Sequence, residues 1–377
     1  MTSDRAYWLA WSQAKGMGPI LLKRLHNHFG SLKAAWQADG AQLLEVEGIG
    51  IGGGSALVEY RQSIDPTQNL ATYEQYHTNF WTPAEPEYPA LLFEISDPPP
   101  LLFYRGRTEL SRAIQTKPTV AMVGTRDPSE YGQRWTRRLT EQLVAHDILV
   151  VSGLASGIDR HAHLQALDSG GLTIAVLGTG VDRVYPWANR ALQGRIRAEG
   201  LLLSEHPNGT PPDRTHFPRR NRIIAGLSRA VVVTEAPARS GALITARLAN
   251  DYGREVWALP GSLDNPRSFG CLELINQGAQ LILDDTTLVR ALSHLPPMDA
   301  ASSISGISSS PPPSTVDLPP LPPAMAEVLA IITPEPTKLD YIVQELARPT
   351  GEILGTLVQL ELMGAIVQLP GQRYQRS

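Results

Sequence analysis

Between residues 117 and 292 the chain alternates short apolar runs with stretches of helical period, and this alternation limits the fold more than any other feature. Thr119–Val123, Ile148–Val151, Thr173–Leu177, Leu201–Ser204, Ala230–Thr234, Val256–Leu259 and Gln280–Leu283 read as strands. Tyr131–Ala145, Gly157–Asp168 and the segment from Gly241 to Asn250 read as helices between them. Strands this short, apolar at nearly every position, are buried on both faces. They predict an α/β fold with a doubly wound, parallel sheet. In such sheets ligands gather outside the carboxyl ends of the strands. The turns that fall there are Gly124-Thr125-Arg126, Ser152–Gly157, Gly178-Thr179-Gly180, Glu205–Arg222, Glu235–Gly241 and Pro260-Gly261-Ser262. They are rich in Gly, Ser and Arg, the chemistry of a phosphate cradle. No G-x-G-x-x-G follows the first strand and no Walker A sequence is present, so neither a standard dinucleotide site nor a P-loop is expected.

The densest chemistry lies in His216–Ser228, which reads HFPRRNRIIAGLS. Pro218 suggests a loop that turns and feeds a helix, with Arg219, Arg220 and Arg222 crowded around Asn221 in its first turns. A helix start carries partial positive charge and free N–H groups, so arginines there are unfavourable unless an anion is near. Their planar forks suit phosphate. Phe217, if exposed, offers a face on which a base can stack. The plainer reading is a solvated basic helix start with Phe217 in the core. Either Arg220 or Arg222 can instead turn inward to brace the loop, through Asn221 or Glu235. Residues 212–229 hold Arg214, Arg219, Arg220, Arg222 and Arg229 against one acid, Asp213, although the chain as a whole has a net charge of −4. Nucleic-acid binding must therefore rest on a local patch.

The flanks have a different texture. Residues 1–75 read as short helices joined by glycine turns, Gly16-Met17-Gly18 and Gly48-Ile49-Gly50, with a helix at Ser55–Gln62. The pattern fits a helix-hairpin-helix, and equally a protein-contacting helical module. Residues 76–115 look like a proline-rich connector ahead of a strand at Leu101–Tyr104. Residues 294–323, in which Ser302–Ser314 is all Ser, Pro, Gly and Ile and Pro319–Pro323 is mostly proline, read as an extended linker. Residues 324–377 give three helices and a hairpin, a winged helix, whose third helix carries Glu352 and Glu361 and no Lys or Arg. Acidic side chains repel phosphate, which favours a protein-contacting role there. A single cysteine, Cys271, excludes a disulfide framework. No run of about 18 apolar residues and no secretory h-region is present, so no membrane span and a cytoplasmic location are expected. Asp159 and His163, one helical turn apart, are a pair too small for a metal site, and Asp159 is expected to brace the glycine turn. Ser240 lacks the G-x-S-x-G surroundings of a hydrolase nucleophile. No metal and no cofactor is expected.

Taken together, these motifs resemble the DNA-processing protein A family, also called Smf, of bacterial natural transformation. The resemblance rests on Val123–Arg126, Ser152–Asp159, Gly178–Asp182 with Tyr185-Pro186, His216–Ser228, Arg239–Thr245 and Ala258–Ser262, and spans roughly residues 80–290. It implies an extended Rossmann-like domain that dimerises, near Leu243–Leu248 and the following strand. The N-terminal helices resemble the family's sterile-alpha-motif-like domain, and residues 324–377 its winged helix. The implied function is a non-catalytic, cytoplasmic binder of single-stranded DNA that protects incoming strands and helps load the RecA recombinase. Arg126, Arg214 and Phe217 take the family's strand-binding roles. Where some members place a lysine after Tyr185-Pro186, this chain has Trp187, with Arg190 near enough to supply charge. The full set of expected contacts is Gly124, Arg126, Ser152, Gly153, Gly157, Trp187, Arg190, Arg214, Phe217, Arg219, Arg220, Asn221, Arg222, Ser240 and Gly241. The alternative is a phosphoribohydrolase acting on nucleoside monophosphates, suggested by Pro260-Gly261-Ser262, though that group's Pro-Gly-Gly-x-Gly-Thr signature and catalytic acid are not present.

Overall fold

The computed structural model describes residues 4–77, 79–293, 322–333, 337–346, 348–362, 365–369 and 373–376. These fall into two compact units that divide between residues 306 and 307. The expected linker lies outside the described residues, except Pro322 and Pro323.

The first unit is built on a nine-stranded sheet. In chain order the strands are β1 Phe80–Trp81, β2 Leu102–Gly106, β3 Thr119–Val123, β4 Leu149–Ser152, β5 Thr173–Leu177, β6 Leu201–Ser204, β7 Ala230–Val233, β8 Glu255–Ala258 and β9 Gln280–Leu281. Their order across the sheet is β1-β2-β6-β5-β4-β3-β7-β8-β9. From β6 to β9 every pairing is parallel, while β1 and β2 add an antiparallel edge. The chain winds outward from β3 through β4, β5 and β6. It then crosses back to place β7 on the other side of β3, so the switch in winding direction lies between β3 and β7.

Because side chains alternate across a strand, each central strand feeds two cores. Ala121, Val123, Val151, Val176 and Val233 face one, under helices α12 His216–Gly226 and α13 Gly241–Asp251. Val120, Met122, Val150 and Val232 face the other, under α9 Glu130–Ala145 and α10 Ile158–Asp168. This double burial is why the strands read as unbroken apolar runs. The proline-rich connector packs on the sheet that follows it and carries elements of its own. It supplies β1, the helix α7 Ala90–Glu94 and β2, followed by α8 Leu110–Thr116. Leu91, Leu92 and Ile95 are buried, and Gly226 of α12 packs so closely that a Cβ there would lie 2.9 Å from Leu92 and Ile95.

The N-terminal helices are α1 Asp4–Gln13, α2 Pro19–Phe29, α3 Leu32–Gln37, α4 Gly40–Leu44, α5 Ile51–Ser63 and α6 Pro66–Glu74. They close over Trp8, Trp11, Leu25 and Leu32. Helix α5 starts at Ile51, not Ser55, and runs through three glycines. A Cβ on Gly54 would meet Leu44 at 2.9 Å, so close packing against α4 outweighs the poor helix propensity of glycine. Two basic residues tie this layer to the sheet. Arg5 pairs with Glu85 at 2.7 Å and lies over the Phe80 ring, while Lys23 donates to the carbonyls of Glu94 and Ile95.

α10 carries a buried histidine whose protonation state the hydrogen bonds settle. Thr173 spends its hydroxyl proton on the carbonyl of Val150, so it accepts from Nδ1–H of His163 at 2.7 Å. Nε2 is then a bare, buried acceptor. Burial, and secondarily the nearby Arg220, push the His163 pKa down to about 3. Two further helices, α14 Phe269–Asn276 and α15 Asp285–Ser293, complete this unit.

The second unit contains α16 Pro323–Ile331, β10 Thr337–Lys338, α17 Leu339–Leu346, α18 Thr350–Leu362, β11 Ile366–Leu369 and β12 Arg373–Arg376. The strands form an antiparallel sheet in the order β10-β12-β11, one strand more than the expected hairpin. Its core of Leu329, Ile342, Leu357, Ile366 and Tyr374 makes it a winged helix.

Two outcomes follow for stability. The folded state refuses a proton that the unfolded chain accepts on His163, so stability is full above a pH of about 6.5 and falls as pH drops toward about 3. The loss should reach roughly 2 kcal/mol by about pH 5. His163→Asn, which keeps a donor toward Thr173 but cannot titrate, should flatten that decline in unfolding curves recorded against pH. Removing Arg222, which pairs with the buried Glu205 at 2.6 Å, should cost about 3 kcal/mol in chemical denaturation, because the carboxylate then keeps only the exposed and more distant Arg219.

Candidate nucleic-acid interface

α12 begins at His216, two residues earlier than Pro218 suggests. Proline lacks only an N–H that would be unpaired in the first turn anyway, so it sits inside the helix start without disturbing it. The turn itself is made upstream. Asp213 accepts hydrogen bonds from the backbone N–H and the hydroxyl of Thr215, which hold its carboxyl below the usual range, and its carbonyl accepts from the N–H of His216.

Four arginines of this segment meet four different fates. Arg220 is buried and points under the β4–α10 turn, where it donates to the carbonyls of Gly153, at 2.6 Å, and Val176. A Cβ on Gly153 would come within 2.5 Å of that guanidinium, so the glycine is what lets the arginine through. Burial pushes the Arg220 pKa down to about 10, with Asp159 opposing and Arg126 adding to the shift; the group stays charged at neutral pH. Arg222 is also buried and is neutralised by Glu205 at 2.6 Å and Asp97 at 3.2 Å. Neither inward arginine uses Asn221 or Glu235. Arg219 is exposed but lies 3.6 Å from Glu205, beside a separate cleft lined also by Glu94, Asp97 and Asp251. Arg219 and Arg222 therefore do not join the main cleft. Arg214 does: it is exposed and makes no ion pair with any described residue.

That cleft, of about 670 Å³, lies at the carboxyl ends of the strands, at the β3–β7 switch point. Its rim carries Arg126 from the turn after β3, Arg214 and Arg220 from the α12 segment, and Arg239 from the turn after β7. Arg126 and Arg239, like Arg214, are exposed and without an ion pair among the described residues; Asp127 pairs instead with Arg267 at 2.5 Å. Opposite them Phe217 stacks on Tyr185, ring centroids 5.1 Å apart and planes 28° apart. Phe217 is half-buried against Gly178, where a Cβ would clash at 2.8 Å. Just behind this stack His216 lies on His206 at 4.0 Å.

The remaining expected contacts separate clearly. Gly124, Asn221, Ser240 and Gly241 line the cleft. Asn221 donates to the carbonyl of Gly241, and the Ser240 hydroxyl caps α13. The glycine turn after β4 does not present the free N–H groups expected of it. Asp159 already accepts from Gly153 and Ala155, and its own pKa is raised by burial despite Arg220 and those N–H groups. Ser152 is fully buried and donates to the carbonyl of Met122. Gly157, at φ +78°, packs where a Cβ would strike Thr125 and Arg126. Ser152 and Gly157 are not part of the cleft lining, whereas Gly153 lines a smaller pocket together with Arg126, Tyr185 and Phe217. Trp187 and Arg190 lie outside the cleft, on its flank. Glu235, buried, holds the Arg126 loop by accepting from the N–H and hydroxyl of Ser129. Tyr185 and Arg239 were not among the expected contacts, although both follow strands on the edge where ligands gather. No group of three or more His, Cys, Asp or Glu side chains suited to a metal occurs among the described residues. Cys271 is buried, its thiol pushed up to about 12 by desolvation, and is inert.

Comparison with known proteins places the chain in a family. Residues 79–293 match the family described as DNA recombination-mediator protein A, and residues 311–372 match the DprA winged helix domain. Protein Smf from Synechocystis is 45% identical over 394 residues, covering 99% of each chain. Protein Smf from Escherichia coli is 40% identical, covering 77% of this chain and 75% of its own. Among solved structures, DNA processing protein A from Streptococcus pneumoniae superposes with a TM-score of 0.64 at 34% identity, over 77% of this chain and 98% of that one. A structure describing the single-stranded DNA binding mode of DNA processing protein A from Helicobacter pylori gives a TM-score of 0.50 at 33% identity, over 54% and 92%. An α/β sheet with a basic, aromatic cleft at its switch point and a winged helix after it, matched along its length by these relatives, belongs to the DNA recombination-mediator protein A family.

Proposed function

We propose that the cleft binds single-stranded DNA without catalysing a reaction on it. The observation that carries this reading is the meeting of Arg126, Arg214 and Arg239, none paired with a carboxylate, with the Tyr185–Phe217 stack in one opening. A single strand needs a positive groove for its phosphates and aromatic faces for its bases, and no base-reading code. The Helicobacter pylori relative, studied for its single-stranded DNA binding mode, supports the same reading. Within it, the chain protects incoming strands and loads RecA during transformation, in the cytoplasm, as a homodimer through the Rossmann-like domain. Family membership supports these roles. In the expected segment Leu243–Leu248, Ile244 is exposed while Leu243 and Ala246 are buried, and exposed Leu281 and Leu283 at the edge strand β9 add apolar surface for a second copy; no described helix is long and apolar enough to cross a membrane. Co-purification with RecA and sedimentation of the purified chain test the two partners.

Arg126→Ala and Arg214→Ala should each weaken binding to an oligo-dT strand by roughly tenfold or more. Each should also lower the slope of log affinity against log salt by about 0.7, the share of one phosphate contact on a single strand. Wild-type affinity in both variants would overturn the assignment. Release of free base from AMP would favour the phosphoribohydrolase alternative.

A further inference from the structure

His206 follows β6 and His216 opens α12, and their rings lie face to face, centroids 4.0 Å apart and planes 25° apart. Neither ring lines the cleft. Both are fixed from the side of the sheet. The backbone N–H of His206 donates to the Ser204 hydroxyl, which donates to the carbonyl of Thr179. The carbonyl of Gly178 can only accept, so Nδ1 of His216, 3.2 Å away, carries the hydrogen. Nε2 of His216 is then the acceptor, and it makes no hydrogen bond to a described residue. It can take a proton without turning the ring or releasing Gly178.

His206 is worse placed to hold a charge. Its Nε2 is buried without a partner. Burial is the chief cause that lowers its pKa; Glu205 opposes the shift, and His216, Arg219 and Arg222 add to it. Two imidazolium rings stacked at 4.0 Å repel each other, whereas a neutral ring gives a cationic one a favourable face. The pair therefore has room for one proton, on His216. The charged groups around it are already engaged. Glu205 faces Arg219 and Arg222, and Asp213 accepts from Thr215. Arg214, two residues before His216, is exposed in the cleft and makes no ion pair with any described residue. A phosphate held there is the new charge that this imidazole would feel.

We propose that His216, stacked on a neutral His206, takes up one proton from solvent when a strand enters the cleft. This rests on the single-strand reading of the cleft and adds to it a dependence on pH. His216 is a positioning residue: it touches His206 and Gly178, the glycine against which Phe217 packs, and not the strand. Because the bound state holds the proton more tightly than the free one, affinity rises as pH falls through the titration range of His216.

The test is binding of the full chain to an oligo-dT strand at fixed salt, from about pH 8 to about pH 6. Wild-type affinity should rise roughly threefold to tenfold, the effect of a pKa shift of about half a unit to one unit. His216→Asn keeps a donor toward Gly178 and cannot titrate, so most of that rise should vanish. His206→Phe keeps a stacked face and carries no proton, so the rise should remain. Calorimetry in buffers of different ionisation enthalpy should count a proton taken up on binding by wild type and His206→Phe, and none attributable to this site in His216→Asn. A flat wild-type profile would overturn the proposal. So would an undiminished rise in His216→Asn, or loss of the rise in His206→Phe, which would put the proton on the other ring. Arg126→Ala separates the two readings. If it loses affinity while the wild-type profile is flat, the proton site alone fails; if it binds as wild type does, the cleft reading fails with it.

Discussion

The interface depends on one buried cation. The guanidinium of Arg220 reaches from α12 beneath the glycine turn to the carbonyls of Gly153 and Val176, with Asp159 bound to the same turn from the other side. This contact ties α12 to the ends of β4 and β5. Through α12 it fixes where Phe217 and Arg214 stand relative to Arg126. A charge so enclosed is costly, as the lowered pKa of Arg220 and the raised pKa of Asp159 both show, and it persists because carbonyls and a carboxylate surround it. The glycines of the turn are required by this arrangement, since a methyl group at Gly153 would occupy the space of the guanidinium.

A run of arginines that looks uniform in sequence is therefore a division of labour. One arginine braces the floor, one is neutralised within the core by Glu205 and Asp97, one is drawn toward Glu205, and one is left exposed in the cleft. The cleft gains its remaining positive charge from turns far away in sequence, at Arg126 and Arg239. Of the members of that local basic cluster, Arg214 and Arg220 line the cleft, while Arg219 and Arg222 line the neighbouring one.

How much was legible follows from these physics. Thr119–Val123, Thr173–Leu177 and Leu201–Ser204 were read residue for residue because strands buried on two faces leave an unbroken apolar signal. The switch-point rule brought Arg126 to the cleft before any coordinates. The prolines between Pro83 and Pro100 hid β1 and α7, whose burial is set by α12 and the sheet and not by local propensity. Likewise, nothing local to Arg222 announces that its partners are Glu205 and Asp97, whereas Asp159, close in sequence to the glycine turn, is expected to brace it and does accept from the N–H of Gly153. Orientation is a tertiary property, and side chains of one type in one segment were separated only by what lies across the fold.

Arg126, Arg214 and Arg239 gather in one cleft of a chain whose net charge is −4. Beyond a Debye length of about 8 Å at physiological salt the cleft is screened, and the excess of acid elsewhere gives a polyanion no long-range pull toward the molecule. Encounter with DNA is then set by diffusion and orientation, whereas the grip, once formed, is electrostatic. Salt should act chiefly on how long a strand stays and little on how quickly it arrives, a kinetic signature opposite to that of proteins that draw nucleic acid in with a broadly basic surface.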